Sequence, residues 1–417
     1  MTVKKFFRTI TGKITGGICM KYDFETILDR RGKDALAIDG LGKNPGFTPE
    51  PPREGFNSIP MWVADMNFQT APSIVEKIIE RARHPIFGYF DLSGEYFRAI
   101  IDWQKIRNGV ENLAAEHIAY ENGVLGGVVN ILNVLCSRGD NIMIHSPTYV
   151  GFSVVAENNG YKLIHSSLIL DAENIWRMDF EDMERKIVEN KIHVAILCSP
   201  HNPCGRVWTR AELETAFEIF ERHGVFVISD EIWSDIIFSG NKHIPTQQVS
   251  AYARENTAAF YSPSKTFNLA GIVGAYRIIF NRRLRERAEK ESSLTHYNSP
   301  NVFSMHALIG AYSETWREWA DELNIVLEKN LRYACEHITK NYRGVKVGVP
   351  QGTYMIFLDC ENCGVPQEKI LKRGWDCGVT WHDGKLFNCP HGIRMSLASP
   401  FALIEEAFAR LDSYVFK

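Results

Sequence analysis

The 417-residue chain has no apolar run approaching the roughly 18 residues that a bilayer span requires. It has no clustered basic stripe either. Its 47 Lys and Arg stand against 50 Asp and Glu, a net charge of -3, so neither nucleic acid nor a membrane surface is expected as a partner. Residues 1–20 lack the apolar core of about 7–15 residues that marks a secretory signal. They are mildly basic (Lys4, Lys5, Arg8, Lys13) and carry Gly16-Gly17. They read as an accessory tail, with Met20 a candidate natural start because patterned sequence begins at Tyr22-Asp23-Phe24. Repeats and low-complexity segments are missing. A disulfide framework is missing too: nine cysteines, odd in number and scattered, suit free thiols in a reducing cytoplasm. One group of potential ligands is Cys360 and Cys363, followed by Cys377, His382, Cys389 and His391. Only its first pair has the tight spacing of a zinc site, so no metal is expected.

What the chain does have is length for a large core and an alternating pattern. Its size suggests about two to three domains at ~150 residues each. Asn141–His145, His193–Cys198, Val225–Ser229 and Ala258–Tyr261 are strand-like runs, apolar on both faces as buried parallel strands are. Helical patterns separate them, among them Thr209–His223 behind a threonine cap. Thr70 before Pro72 reads as the capped start of another helix. Strand, helix, strand repeated predicts an α/β fold around a mostly parallel sheet. After about residue 290 the pattern changes. A long helical stretch over 301–339, a strand-like segment Gly352–Asp359, a run around Arg394 and a last helix Phe401–Tyr414 predict a smaller α+β domain. The expected division is 61–290 for the large domain and 291–417 for the small one, with 21–60 packing on the latter.

The runs end in polar or turn residues, and open α/β sheets bind ligands at the carboxyl ends of their strands. Lys265 lies in Ser262-Pro263-Ser264-Lys265-Thr266-Phe267-Asn268, just past the run ending at Tyr261 and thirty-five positions after Asp230. A lysine able to lose its proton forms a Schiff base with an aldehyde. Asp230, closing an apolar strand, needs a positive partner if buried, and a pyridinium nitrogen would supply one. Together they suggest pyridoxal phosphate (PLP), whose ring is an electron sink that the protein positions and charges. Asn202, before Pro203, could donate to the cofactor's phenolic oxygen, and the ring of Tyr149 could stack on the pyridine. Gly123-Val124-Leu125-Gly126-Gly127 opens a helix, and a helix N-terminus is an anion site. Val124 and Leu125 with the hydroxyls of Ser262 and Ser264 are candidate phosphate ligands. Arg394, in a strand-like run, would take a substrate carboxylate in a bidentate fork; a structural ion pair is the alternative.

These residues carry a resemblance. Trp62-Val63-Ala64-Asp65-Met66-Asn67-Phe68, Ile86-Phe87-Gly88-Tyr89, His201-Asn202-Pro203 with Gly205, Ser229-Asp230-Glu231-Ile232-Trp233 and Ser262–Gly271 resemble the fold-type I PLP enzymes of the class I/II aminotransferase superfamily. Within it the chain looks most like the cystathionine β-lyase group known as MalY/PatB, over about residues 21–417. The resemblance implies a PLP-dependent transferase fold of type I and a homodimer with active sites at the interface. It implies Lys265 as the Schiff-base lysine, Asp230 at the ring nitrogen, Asn202 at the ring oxygen, Tyr149 stacked, Arg394 on the substrate carboxylate and Tyr89 reaching the neighbouring subunit's phosphate site. Trp233 and Val273 stand where many aminotransferases have a tyrosine and an arginine, and Asn67 where the lyase group often has an aspartate.

The activity implied is α,β-elimination on L-cystathionine or a related β-thio L-amino acid, giving a thiol (homocysteine), pyruvate and ammonia. Lys265 would serve as general base on the Cα proton. The same residues serve transamination of L-amino acids, the alternative, and the residues alone do not separate the two. A third reading makes the chain a PLP-fold protein that binds a regulator through its surface.

Overall fold

The structure is a computed structural model that describes residues 14–15, 18–272, 274–295, 298–313 and 317–416. Most of the expected tail and Val273 lie outside the described residues. Seven strands form the main sheet: β1 (Ile118–Glu121), β2 (Asn141–Ser146), β3 (Lys162–Ser167), β4 (Val194–Cys198), β5 (Phe226–Asp230), β6 (Thr257–Tyr261) and β7 (Ala275–Ile278). Their order is β1-β7-β6-β5-β4-β2-β3. Only β7 runs antiparallel to its neighbours. Strands β4 and β6 are buried at every residue, as their unbroken apolar runs predict.

Local sequence explains several element ends. Thr209 caps the helix Arg210–His223 in a reciprocal capping box with Glu212, and Gly224 ends it in the left-handed conformation. Thr70 is no cap. The helix Pro72–Ala82 begins after Ala71 without a side-chain cap, and the Thr70 hydroxyl donates instead to the carbonyl of Phe267 at 2.6 Å. The N-cap position is Ala71, so Thr70 stands one residue too early to cap the helix and is free for that tertiary contact. The long helical stretch expected over 301–339 is two helices, Val302–Ala311 and Arg317–Asn341. Asn301 caps the first through the N–H groups of Phe303 and Ser304.

A second, antiparallel sheet contains β8 (Lys346–Val347), β9 (Met355–Asp359), β10 (His382–Asp383) and β11 (Gly392–Ser396), in the order β8-β9-β11-β10. Arg394 sits on its inner strand, opposite Phe357 and His382. The stretch 59–68 straps the two sheets together. Ile59–Pro60 pairs with Val379–Thr380, Ser396 donates its N–H to Met61, and Asn67 donates its own to Ala398. Asn268, in the left-handed conformation beside the lysine turn, bonds Met66 through both ends of its amide. Among the described residues no helix is long and apolar enough to cross a membrane.

Candidate active site

Lys265 follows β6, Asp230 ends β5, Asn202 follows β4, Tyr149 follows β2 and Gly123 follows β1. Carboxyl ends of neighbouring parallel strands share one edge of the sheet, so five sites distant in sequence meet there. They line a cavity of about 290 Å³ with Val124, Leu125, Ser262, Ser264, Trp233 and Ala64.

Lys265 donates from Nζ to the carbonyl of Ala64 at 2.9 Å and lies 5.6 Å from the centre of the Trp233 ring. Burial, with Arg394 nearby, brings its ammonium down to about 8, against the pull of Asp65 and Asp230. The lysine is therefore poised to become a free amine close to neutral pH. Asp230 is 4% exposed and accepts one hydrogen bond, from the N–H of Ile232 at 3.0 Å. Burial raises its carboxyl to about 7; the Ile232 N–H and Lys265 only partly oppose this. A buried carboxylate so sparsely bonded wants a cation beside it.

Arg394 is the complementary case. It is buried, donating to the carbonyl of Trp62 at 2.6 Å, to Asn202 Oδ1 at 3.3 Å and toward His382 Nδ1 at 3.4 Å. Phe387 lies beneath its guanidinium at 4.5 Å. Its Nε has no partner, and among the described residues no carboxylate pairs with it. Burial lowers its pKa to about 10. The ion-pair alternative weighed from the sequence finds no counter-ion, so the buried cation is left for an anionic ligand.

At the phosphate end, the helix Val124–Leu135 starts behind Gly123 at φ 116° with no side-chain cap. Its first-turn N–H groups thus face the cavity uncapped. Ser262 Oγ donates to the carbonyl of Gly274 at 2.7 Å and accepts from the N–H of Ser264 at 3.1 Å, which fixes the turn in front of the lysine. Tyr149 packs edge-on against Phe152 and borders Gly151, where a Cβ would come within 2.5 Å of its ring. The donor set fits PLP: an uncapped helix start for phosphate, a sparsely bonded carboxylate for a pyridinium, an amine for an aldehyde. Tyr89 is apart from this group, fully exposed on the surface.

The sequence reading missed three supports. Tyr354 donates its hydroxyl to the same Ala64 carbonyl that holds Lys265, at 2.9 Å. His382 takes Phe47 O at 2.9 Å through Nε2, which leaves Nδ1 to accept from Arg394. Arg30 pairs with Asp65 at 2.5 Å and with Asn67 at 2.8 Å, anchoring the strap next to the lysine. Tyr354 and His382 carry no local signal, because their partners are set by tertiary packing. Glu231, the motif neighbour of Asp230, points into the core. It accepts from Ser229, His243, Thr246 and Tyr261 at 2.6–3.1 Å.

Comparisons with known proteins identify the family and the fold. Residues 59–411 match the family described as aminotransferase class I and II. Cystathionine beta-lyase PatB of Bacillus subtilis is 32% identical over 84% of this chain and 89% of its own length. Protein MalY of Escherichia coli is 30% identical over 94% of this chain and 98% of its own. The crystal structure of the PLP-bound C–S lyase from Staphylococcus hominis superposes with a TM-score of 0.83 at 28% identity, covering 95% of this chain and 98% of that one. The shared fold is PLP-dependent fold type I. Converging side chains, a mostly parallel sheet and a family match over most of its length place this chain in the class I and II aminotransferase family of PLP-dependent enzymes.

Proposed function

We propose that the chain is a C–S β-lyase that splits L-cystathionine, or a related β-thio L-amino acid, into a thiol, pyruvate and ammonia. The observation that carries this reading is the cavity itself. A buried amine near 8 and a sparsely bonded carboxylate line one volume the size of a cofactor and a small substrate, and a guanidinium without counter-ion stands behind its wall, bonded to the lining residue Asn202. The lyase names of the curated relatives favour elimination over transamination.

PLP, when bound, supplies the electron sink that makes a Cα proton removable. The chain's own residues do the rest. Arg394 clamps the substrate carboxylate and so fixes which Cα bond faces Lys265. Lys265, whose lowered pKa brings its free-amine form within reach near neutral pH, takes the proton from Cα. Asp230 accepts the hydrogen bond of the pyridine N–H and holds that proton in place. Asn202 donates to the ring oxygen, while Tyr149 covers the ring face. Val124 and Leu125 N–H groups with Ser262 and Ser264 hold the phosphate. Trp233, an indole with no hydroxyl, lies beside Lys265 as an apolar wall that excludes water.

The working unit is a cytoplasmic homodimer, in which Tyr89 of the partner subunit completes the phosphate site. Support comes from the fully exposed Tyr89 beside the exposed Ile86 and Phe87, and from the cysteines among the described residues, whose eight thiols are free. Residues 61–290 form the large domain and 291–417 the small one, with 21–60 packed on the latter. The experiment follows thiol and pyruvate together in purified holoenzyme given L-cystathionine. Matched release of both supports the lyase. Keto acid without thiol, with the cofactor accumulating in its amine form, makes the chain an aminotransferase.

A further inference from the structure

The helix whose start faces the cofactor cavity ends in a second cluster. Its last residue is Leu135, and Cys136 follows in extended conformation. Asp140 closes the next turn, accepting the N–H of Ser137 at 2.7 Å through Oδ2. His193 stands immediately before β4 and reaches back, with Nε2 at 3.3 Å from the Leu135 carbonyl and 3.7 Å from Asp140 Oδ2. A thiol, a carboxylate and an imidazole place one ligand atom each within 4.8 Å of one another. Among the described residues this is the one group of three such ligands. The Cys360 to His391 set that sequence spacing brings to mind does not converge in that way.

We propose that Cys136, Asp140 and His193 form a zinc-class divalent cation site, with water as the fourth ligand. Tetrahedral zinc bonds of about 2.0–2.3 Å put ligand atoms about 3.3–3.6 Å apart. The His193–Asp140 edge is already near that length at 3.7 Å, and the other edges, within 4.8 Å, need to close by about 1.5 Å at most. Mixed sulfur, nitrogen and oxygen ligands suit borderline zinc rather than magnesium or calcium, which prefer oxygen alone. The site lies at a helix C-terminus, whose carbonyls carry partial negative charge and favour a cation. Without metal the Cys136 thiol is held protonated, raised to about 12 by burial and by Asp140. On binding, Cys136 loses that proton to solvent and the metal takes the Nε2 lone pair of His193 in place of the contact to Leu135. The helix spans 12 residues, about 18 Å, between the two sites, so the cation touches none of the reacting groups.

The test titrates PLP-loaded protein with Co²⁺, reading the red visible band of a tetrahedral site, where PLP without substrate does not absorb. One equivalent is expected to saturate the band, zinc to displace it, and zinc to protect Cys136 from alkylation as mapped by peptide mass. Cys136→Ser is expected to abolish the band and His193→Gln to weaken binding at least tenfold, both with lyase activity unchanged. His193 is exposed, so its substitution leaves the fold intact even if the cysteine variant misfolds. No saturable band, or an equal band in both variants, overturns the assignment.

Discussion

Replacing Asp230 by Asn should make the cofactor-free protein more stable, not less, above neutral pH. The carboxyl is raised by burial from 3.8 to about 7, and each unit is worth about 1.4 kcal/mol, so ionising it inside the fold costs about 4 kcal/mol. The sign follows from the raised pKa. The cost is absent below the unfolded value, grows as pH climbs from about 4, and is complete above about 7. Asparagine keeps the shape and can still accept the N–H of Ile232, whose bond to the carboxylate is 3.0 Å. Part of the gain is offset because the carboxylate also attracts the Lys265 ammonium. That attraction fades once the lysine titrates near 8, so the full effect belongs at pH 8.5. The expected gain there is about 2–4 kcal/mol, shrinking to about 1–2 kcal/mol at pH 5.5. Urea unfolding of both apo proteins at equal concentration measures it. With PLP bound the order should invert, because Asn offers no charge to a pyridinium. An apo variant no more stable than the parent at pH 8.5, or a difference independent of pH, would refute the account of Asp230 as a carboxylate held in wait for a cation.

Three other outcomes are expected. Arg394→Met should raise KM for an α-carboxylate substrate roughly 10²-fold through lost charge-assisted bonds, and leave binding of the corresponding amine unchanged, by steady-state kinetics and competition. Gly127→Ala should cost about 1–3 kcal/mol and weaken PLP binding in a cofactor titration, since a Cβ there would come within 2.3 Å of the buried Phe260 ring. Glu231→Gln should cost about 2–4 kcal/mol in urea unfolding, because it turns one acceptor oxygen into a donor among His243, Thr246 and Tyr261, which all donate to that carboxylate.

Much of the active-site edge could be read from the sequence because buried parallel strands are marked twice, by an unbroken apolar run and by the polar residue that ends it. Strands β2, β4, β5 and β6 obey that rule, and the residues after them are the ones that converge. Strands β1, β3 and β7 went unread. The first and last have four residues each, too short for a pattern, and each holds a charge, Glu121 and Arg277, that pairs across the sheet. Strand β3 is an edge strand, Lys-Leu-Ile-His-Ser-Ser, whose polar residues hide it. The strap was visible as a motif but not as a structure. Its contacts to Asn268, Ala398 and Thr380 link segments 200–330 residues apart, which no local periodicity reports. Tyr354 and His382 escaped for the same reason.

The place of β1 has a consequence for synthesis. This strand, the lead-in to the phosphate-binding helix, pairs with β7 alone. When β1 leaves the ribosome, its partner is still some 150 residues from emerging. The nascent chain can stack β2, β3, β4 and β5 in turn, yet the phosphate cup has nothing to lean on until β7 arrives as the only strand laid in backwards. Cofactor capture is thereby deferred to a late stage of translation. Until then the apolar edge of β6 stands open to mispairing, the cost of a long-range contact that closes last.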